Sequence, residues 1–432
     1  MSSAVLESPV AAPAVEDTKL SRILRWRAGE QVGPWEMQVH PTNRCNLKCK
    51  ICWERRAEKE IGMSIYDRTV EVSDERYLQL VDEAAELGVR EWTIVGGGEP
   101  MVRDELVIAM CERIKHHGMR VNLHTNATRF RREHFERLIA AGLDYLRVSI
   151  DGPTQELNDT IRGGGFEKAI SNLRLLKELK EAAGVTHPQM TMHPVITNIT
   201  YQRLTDLVEL CHELGGSGVF LSHLVFEKPE EEEGAIFRLD AAQNAELPRH
   251  IQAAQRRARE LGMLEAFDAV LPDAFRSDKG LPQLGRTCCG DGRITDAACF
   301  ETWLTCIVHV TGKVGPCCVS YDDHADSIKE LSLRDAWFGP FMQDLRRRIV
   351  TNDLPHFCAG CPTYIGPRSE AVRHKLIDHV PLEDRAEWDK WAGLSAPERA
   401  FRLAQRLQQN LRQRGLRQTL QRALEWRQIQ SR

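Results

Sequence analysis

Three cysteines, Cys45, Cys49 and Cys52, lie within eight residues of the stretch Pro41–Trp53, spaced C-x3-C-x2-C. Thiolates this close bind soft metals, above all iron–sulfur clusters and zinc. Three of them leave a four-position site one ligand short, and an open position is what a small molecule can occupy. Downstream, Val95-Gly96-Gly97-Gly98-Glu99-Pro100 combines glycines with a carboxylate. Glycine lets backbone approach a ligand with no side chain between. A phosphate loop fits poorly, because no Gly-Lys-Ser/Thr follows. A second group of thiols comes late: Cys299, then Gly312-Lys-Val-Gly-Pro-Cys317-Cys318, then Cys358-Ala-Gly-Cys361-Pro362. C-x2-C is also half of a zinc knuckle, so zinc and iron–sulfur both stand as readings there.

These residues need a scaffold. From Trp35 to Val225 short apolar runs alternate with amphipathic stretches. The pattern predicts strands at Trp35–His40, Glu91–Val95, Arg120–His124, Tyr145–Asp151, Met190–Ile196 and Val219–Val225. It predicts helices near Asp74–Leu87, Asp104–His117, Glu133–Ala141, Phe166–Ala183 and Thr200–Leu214, several closing on a glycine. Strands alternating with helices imply an α/β fold with a parallel sheet of right-handed crossovers. Six units fall short of eight, so the expectation is an open, TIM-like partial (β/α)6 barrel. Ligands then gather at the carboxyl ends of the strands, where the cysteine loop follows the first.

The chain divides by composition. Residues 1–18 read as a loose tail and 19–227 as the barrel; 228–285 read as a helical connector with one helix over Asp240–Gly262. Residues 286–367 hold eight of the thirteen cysteines and read as a small metal-stapled domain, helical only over Leu333–Val350. Residues 368–432 form a helical, basic tail; from Ser395 it carries nine arginines against two glutamates, with leucines at helical spacing. The tail reads as a helix packed on the core or a second subunit, as one lying on an anionic membrane, or as a nucleic-acid contact. The net charge of −4, 58 Lys+Arg against 62 Asp+Glu, excludes a general nucleic-acid binder. No apolar run reaches membrane-spanning length and no secretion signal opens the chain, which points to the cytoplasm and to reduced thiols.

The motifs in this order resemble the radical S-adenosylmethionine enzymes, and the late cysteines resemble their auxiliary-cluster domain, SPASM or its shorter form, twitch. The resemblance implies a [4Fe–4S] cluster on Cys45, Cys49 and Cys52, whose bare iron takes the amino and carboxylate groups of S-adenosylmethionine. It places Gly97, Gly98, Glu99 and Pro100 at the methionine amino group, with Asn126 next in order although Ala127 replaces a frequent glycine. Ser149 and Asp151 would meet ribose and carboxylate, Arg162 the carboxylate, and Ile196 the adenine unless it simply packs in the core. Cys299, Cys317, Cys358 and Cys361 would ligate one auxiliary [4Fe–4S] cluster. The longer SPASM cysteine run is absent, since position 367 is proline. Cys288, Cys289, Cys306 and Cys318 are left over, while Cys111 and Cys211 read as buried small hydrophobes.

The implied chemistry is one-electron cleavage to a 5′-deoxyadenosyl radical that abstracts hydrogen from a substrate C–H. An oxidation follows if the auxiliary cluster takes the remaining electron; a redox-neutral epimerisation or rearrangement is the alternative. A non-catalytic electron carrier or scaffold is the alternative of another class. The expected partners are a flavodoxin- or ferredoxin-type reductant and either a small molecule or a peptide delivered by a separate protein. Only 44 residues precede Cys45, too few for a leader-binding domain in front. His223 and Glu227, at the sixth strand end, are candidates to face substrate.

Overall fold

The computed structural model describes residues 17–52, 69–224, 233–265, 294, 297, 299–318, 320, 322–351, 353–355, 357–358 and 372. The chain divides into compact units Met1–Val372 and Arg373–Arg432, and every described residue belongs to the first. The basic tail apart from Val372, and Trp53, Glu227, Cys288, Cys289 and Cys361, lie outside the described residues.

The strands run in chain order as β1 Glu36–Val39, β2 Glu91–Ile94, β3 Arg120–Thr125, β4 Tyr145–Val148, β5 Gln189–Met192 and β6 Val195–Ile196. They continue as β7 Gly218–Val219, β8 Ser222–His223, β9 Leu264–Glu265, β10 Thr305–Val308 and β11 Val314–Gly315. The helices are α1 Lys19–Arg27, α2 Asp74–Glu86, α3 Asp104–His116, α4 Arg132–Ala141, α5 Gln155–Arg162 and α6 Phe166–Ala183. After them come α7 Leu204–Glu213, α8 Ala241–Glu260, α9 Glu301–Leu304, α10 Leu333–Phe338 and α11 Pro340–Val350. Their starts follow from local chemistry. Ser73 and Thr154 accept from Arg76 N and Leu157 N, and Asp240 makes a reciprocal cap with Gln243. Helices α4 and α6 stop on left-handed Gly142 and Gly184.

Among the described residues the main sheet has nine strands in the order β11-β10-β1-β2-β3-β4-β5-β7-β9, and a separate pair joins β6 to β8. Every neighbouring pair of the main sheet is parallel except β10–β11. Among the described residues the two edges, β11 and β9, do not pair, which matches the open partial barrel. Met37, Val39, Trp92, Ile94, Leu123, Leu146, Val148, Met190 and Met192 form the helix-facing layer, each at most 1% exposed. Alternation sends their neighbours to the concave face.

Three features differ from the periodic reading. The fifth and sixth strands each break into two, β5/β6 and β7/β8; Pro194, between β5 and β6, has no N–H to continue a ladder. The stretch Leu333–Val350 is two helices, because Gly339-Pro340 ends one and starts the next. Most consequentially, β10 from the cysteine-rich region pairs with β1, Gln38 opposite Ile307. Trp35 N donates to Leu304 O at 2.7 Å and His40 N to Val308 O at 3.0 Å. The late segment thus extends the same sheet that carries the cysteine loop.

Candidate active site

Residues 41–52 leave the carboxyl end of β1. Cys45 is exposed, Cys49 and Cys52 are half-buried, and all three are free thiols. Leu47 N donates to Cys45 Sγ at 3.4 Å and Cys52 N to Cys49 O at 3.3 Å. Desolvation raises the Cys45 thiol above its ordinary value; Glu99 and Cys49 push the same way, and Leu47 N and Arg162 oppose. Among the described residues no three His, Cys, Asp or Glu side chains converge as ligands of a single ion. An iron–sulfur cubane takes one thiolate per iron, so its ligands bind separate corners and need not converge.

The loop is held from three sides. Gly98 N donates to Thr42 O at 2.9 Å and Glu99 N to Arg44 O at 3.0 Å. A Cβ on Gly98 would stand 2.1 Å from Arg44 O, and one on Gly96 2.0 Å from Gly98 O. Glycine at 98 is therefore required by the cysteine loop itself. From a second side, Lys50 N donates to Ile161 O at 2.8 Å. Gly163 (φ +77°) and Gly165 (φ +93°) lie where a Cβ would press on Lys48 O and Thr128 Cγ2, and only glycine takes such angles freely. On the third side Thr42 Oγ1 donates to Glu71 Oε1 at 2.5 Å, and Arg44 Nε to the same oxygen at 3.0 Å.

Glu99 is 3% exposed and accepts three hydrogen bonds, from Met101 N (3.1 Å), Thr125 Oγ1 (2.7 Å) and Asn126 N (2.7 Å). Burial raises its carboxyl above the usual range, and those donors with Arg162 oppose it. Asn126 Nδ2 donates to Asn46 Oδ1 at 3.1 Å; Asn46 Nδ2 donates to Thr128 Oγ1 at 2.8 Å, and that hydroxyl donates to Asn126 Oδ1 at 2.7 Å. This ring ties the cysteine loop to the end of β3. Neither Asn46 nor Thr128 belongs to a spaced motif, and no sequence signal singles them out. The run Gly163-Gly164-Gly165 is such a signal. Ala127 has φ 60°, the region where glycine is favoured.

At the end of β4, Asp151 is fully buried. Its Oδ2 accepts from Arg162 Nη1 at 2.6 Å and its Oδ1 from Val195 N at 2.8 Å. Burial works against the Arg162 charge, but Asp151, Cys49 and Cys52 outweigh it and hold the guanidinium protonated. Its Nε is buried with no hydrogen-bond partner among the described residues. Ser149 is half-buried beside them, its N donating to Thr125 O at 3.0 Å. Ile196 is 1% exposed inside the main apolar cluster, so its surroundings are those of a core residue. Three free thiols, a carboxylate and an orphaned guanidinium N–H at one rim fit a cluster together with an amino-acid-bearing cofactor.

In the late segment Cys299, Cys317, Cys318 and Cys358 are half-buried. Glu301 N donates to Cys299 Sγ at 3.4 Å, and Cys317 N donates to Ser320 Oγ at 3.3 Å. Burial pushes the Cys358 thiol up to about 11, against the opposing charge of Arg348. Cys306, on β10, is fully buried and pushed up to about 12. Cys111 and Cys211 are likewise fully buried and pushed up to about 12, as small hydrophobes should be. No described helix is long and apolar enough to cross a membrane.

Comparison with known proteins agrees with this geometry. A family profile described as the Radical SAM superfamily matches residues 39–211, and one described as an iron–sulfur cluster-binding domain, SPASM, matches residues 299–362. The PqqA peptide cyclase of Granulibacter bethesdensis is 26% identical over 343 residues, covering 76% of this chain and 79% of that protein. The pre-heme d1 synthase of Dinoroseobacter shibae is 27% identical over 342 residues, covering 74% and 77%. Among solved structures, Streptococcus suis SuiB bound to precursor peptide SuiA shares the fold at TM-score 0.55 and 17% identity, over 79% of this chain and 74% of that one. With cysteine loop, glycine–glutamate loop and Asp151–Arg162 pair assembled at one barrel rim, the chain is a radical S-adenosylmethionine enzyme that carries a SPASM iron–sulfur domain.

Proposed function

We propose that Cys45, Cys49 and Cys52 hold the [4Fe–4S] cluster that binds S-adenosylmethionine, and that Cys299, Cys317, Cys358 and Cys361 hold one auxiliary cluster. The chemistry these groups supply when bound is one-electron cleavage of the sulfonium, which yields a carbon radical able to take hydrogen from a substrate C–H. The chain's own residues orient and shelter. Gly97, Gly98 and Pro100 shape the wall beside the cofactor's methionine end. Glu99, fixed by its three donors, accepts from the cofactor amino group. Arg162, braced by Asp151, offers its unpartnered Nε to the cofactor carboxylate. Asn126 locks the cysteine loop through Asn46, and Ser149 faces the ribose.

The observation that carries this reading is the contact of Gly98 with Arg44, which seats the glutamate loop directly on the cysteine loop. Reconstituted without oxygen and reduced with dithionite, the protein is expected to convert S-adenosylmethionine to 5′-deoxyadenosine. Cys45→Ala, Cys49→Ala and Cys52→Ala together should abolish that and remove one cluster's iron. Unchanged iron and cleavage in the triple variant overturns the proposal.

The net reaction we favour is oxidation, a dehydrogenation or carbon crosslink on a peptide, with a flavodoxin- or ferredoxin-type protein as electron source. The peptide in the name of the PqqA peptide cyclase supports the peptide part of this choice. The pre-heme relative favours a second substrate class, a tetrapyrrole. Stoichiometric 5′-deoxyadenosine per product fits oxidation; many products per 5′-deoxyadenosine indicates a redox-neutral reaction instead. Cytoplasmic placement and a membrane contact through the basic tail remain parts of the proposal, the latter tested by vesicle co-sedimentation against a chain ending before Ser395.

A further inference from the structure

The concave face of the sheet is polar where the opposite face is apolar. Arg147 on β4 stands in register beside His124 on β3 and Thr191 on β5. Thr191 Oγ1 lies 3.0 Å from His193 Nε2, and the His193 ring stacks on Phe220 with centroids 5.1 Å apart and planes 14° apart. The rings of His124 and His193 are 5.7 Å apart. His124 Nε2 is buried and has no hydrogen-bond partner among the described residues.

The other charged groups of the lower concave face are matched. Thr93 Oγ1 donates to Glu36 at 3.0 Å and Lys19 lies 3.9 Å from it, while Arg120 pairs with Glu91. Arg147 is half-buried and makes no hydrogen bond or salt bridge to any described residue; burial opposes its charge, and Glu36 and Glu91 favour it from beyond contact distance. Those carboxylates are already engaged by Thr93, Lys19 and Arg120, so the half-buried guanidinium keeps N–H donors for an anion that arrives with a ligand. The neighbouring imidazoles are held neutral, His193 pushed down to about 3 by burial and by the Arg147 charge. Neutral rings add no competing charge, and each can donate one N–H.

We infer that Arg147, with His124 Nε2 and the His193–Phe220 stack beside it, receives a carboxylate of the substrate on the concave face, two residues below Ser149. A planar guanidinium fork suits that anion in a bidentate pair. The inference rests on the proposed radical chemistry at the rim above. The carboxylate is either an acidic side chain of a peptide or a carboxylate arm of a tetrapyrrole; both present the same group.

The test measures equilibrium binding to the full-length, anaerobically reconstituted protein. One arm compares coproporphyrin with its tetramethyl ester; the other compares a blocked pentapeptide bearing one glutamate with its glutamine counterpart. At least one acid should bind about tenfold tighter than its neutral counterpart, a ratio set by one charge-assisted bidentate pair, and that arm names the source. Arg147→Met should bring the ratio close to one, Arg147→Lys should leave an intermediate value, and His124→Gln should lower it with the charge in place. Far-UV circular dichroism and iron content check that the variants fold. No preference for either acid, or a ratio kept in Arg147→Met, overturns the inference. Cleavage of S-adenosylmethionine by the parent without substrate reports on the rim alone, so the two failures are separable.

Discussion

Gly98 faces the backbone of Arg44 so closely that an added methyl would lie 2.1 Å from the Arg44 carbonyl oxygen and 2.6 Å from the Asn43 carbonyl carbon. Both are backbone atoms and cannot swing aside as a side chain would. Gly98→Ala must move the cysteine loop and stretch the bonds from Gly98 N to Thr42 O and from Glu99 N to Arg44 O. We expect a folded protein destabilised by about 1–3 kcal/mol, as for an overpacked site. Its rim cluster should be lost while the late cysteines keep theirs. Iron and sulfide per chain equal to the parent would refute this.

Glu99→Gln keeps the volume but changes what three donors meet. Two oxygens now accept from Met101 N, Thr125 Oγ1 and Asn126 N. An amide in their place turns an N–H toward at least one donor, and a buried donor left unmatched costs about 1–3 kcal/mol. Urea unfolding should move down by that amount, and equilibrium dialysis should show weaker S-adenosylmethionine binding. If both stay level, Glu99 is neither anchored nor anchoring.

Much of this arrangement was readable from residue order, and the unreadable part has a common cause. The helix over Phe166–Ala183 follows from its period and from Gly184, which takes φ 66° at its end. Cys45, Glu99 and Asp151 lie in local motifs after strand ends, and Arg162 closes the short helix that follows Asp151, so a sequence reading can place them on one rim. The pairing of β10 with β1 is not local: a parallel neighbour needs no turn, and Thr305–Val308 is only a short apolar run. The Asn46–Thr128–Asn126 ring spans about eighty positions and uses common loop residues. Likewise Arg147 looks like any polar strand residue until register sets it beside His124. Such facts belong to tertiary packing, which leaves no period in the chain.

Arg346 shows how the first helix is bound to the late segment. Its guanidinium lies 4.7 Å from the Trp26 ring of α1 and 4.4 Å from the Trp337 ring of α10. Its Nε donates to Thr302 O at 3.0 Å and its Nη1 to Trp337 O at 2.9 Å. The cation is 7% exposed and burial pushes its pKa down to about 9. Arg346→Met keeps the stem but strands two carbonyls and loses two ring contacts, for a loss of about 2–4 kcal/mol. Arg346→Lys should recover only part, because it cannot span both rings and both carbonyls. Thermal melting of the three proteins should rank parent, Lys, Met; a Met variant as stable as the parent would show the clamp to be idle.

His40 and His309 meet where β1 and β10 end, their rings 5.2 Å apart and 78° from parallel. They are 5% and 2% exposed, and burial pushes them down to about 4 and about 3, His309 also feeling the His40 charge. An unfolded histidine titrates near 6.5. The folded value is the lower one, so the stabilising contribution is complete above about pH 6.5 and is lost as pH falls toward the folded values. In that window the unfolded chain takes up protons that the folded chain refuses, at about 1.4 kcal/mol per pH unit for each ring. His124 and His193, also depressed, add to the same slope. His309→Asn removes one ring and should reduce the slope of unfolding free energy between about pH 6.5 and 5 by about 1.4 kcal/mol per pH unit. Urea titrations of parent and variant at several pH values measure it. Parallel slopes would mean that His309 already carries its proton in the folded protein.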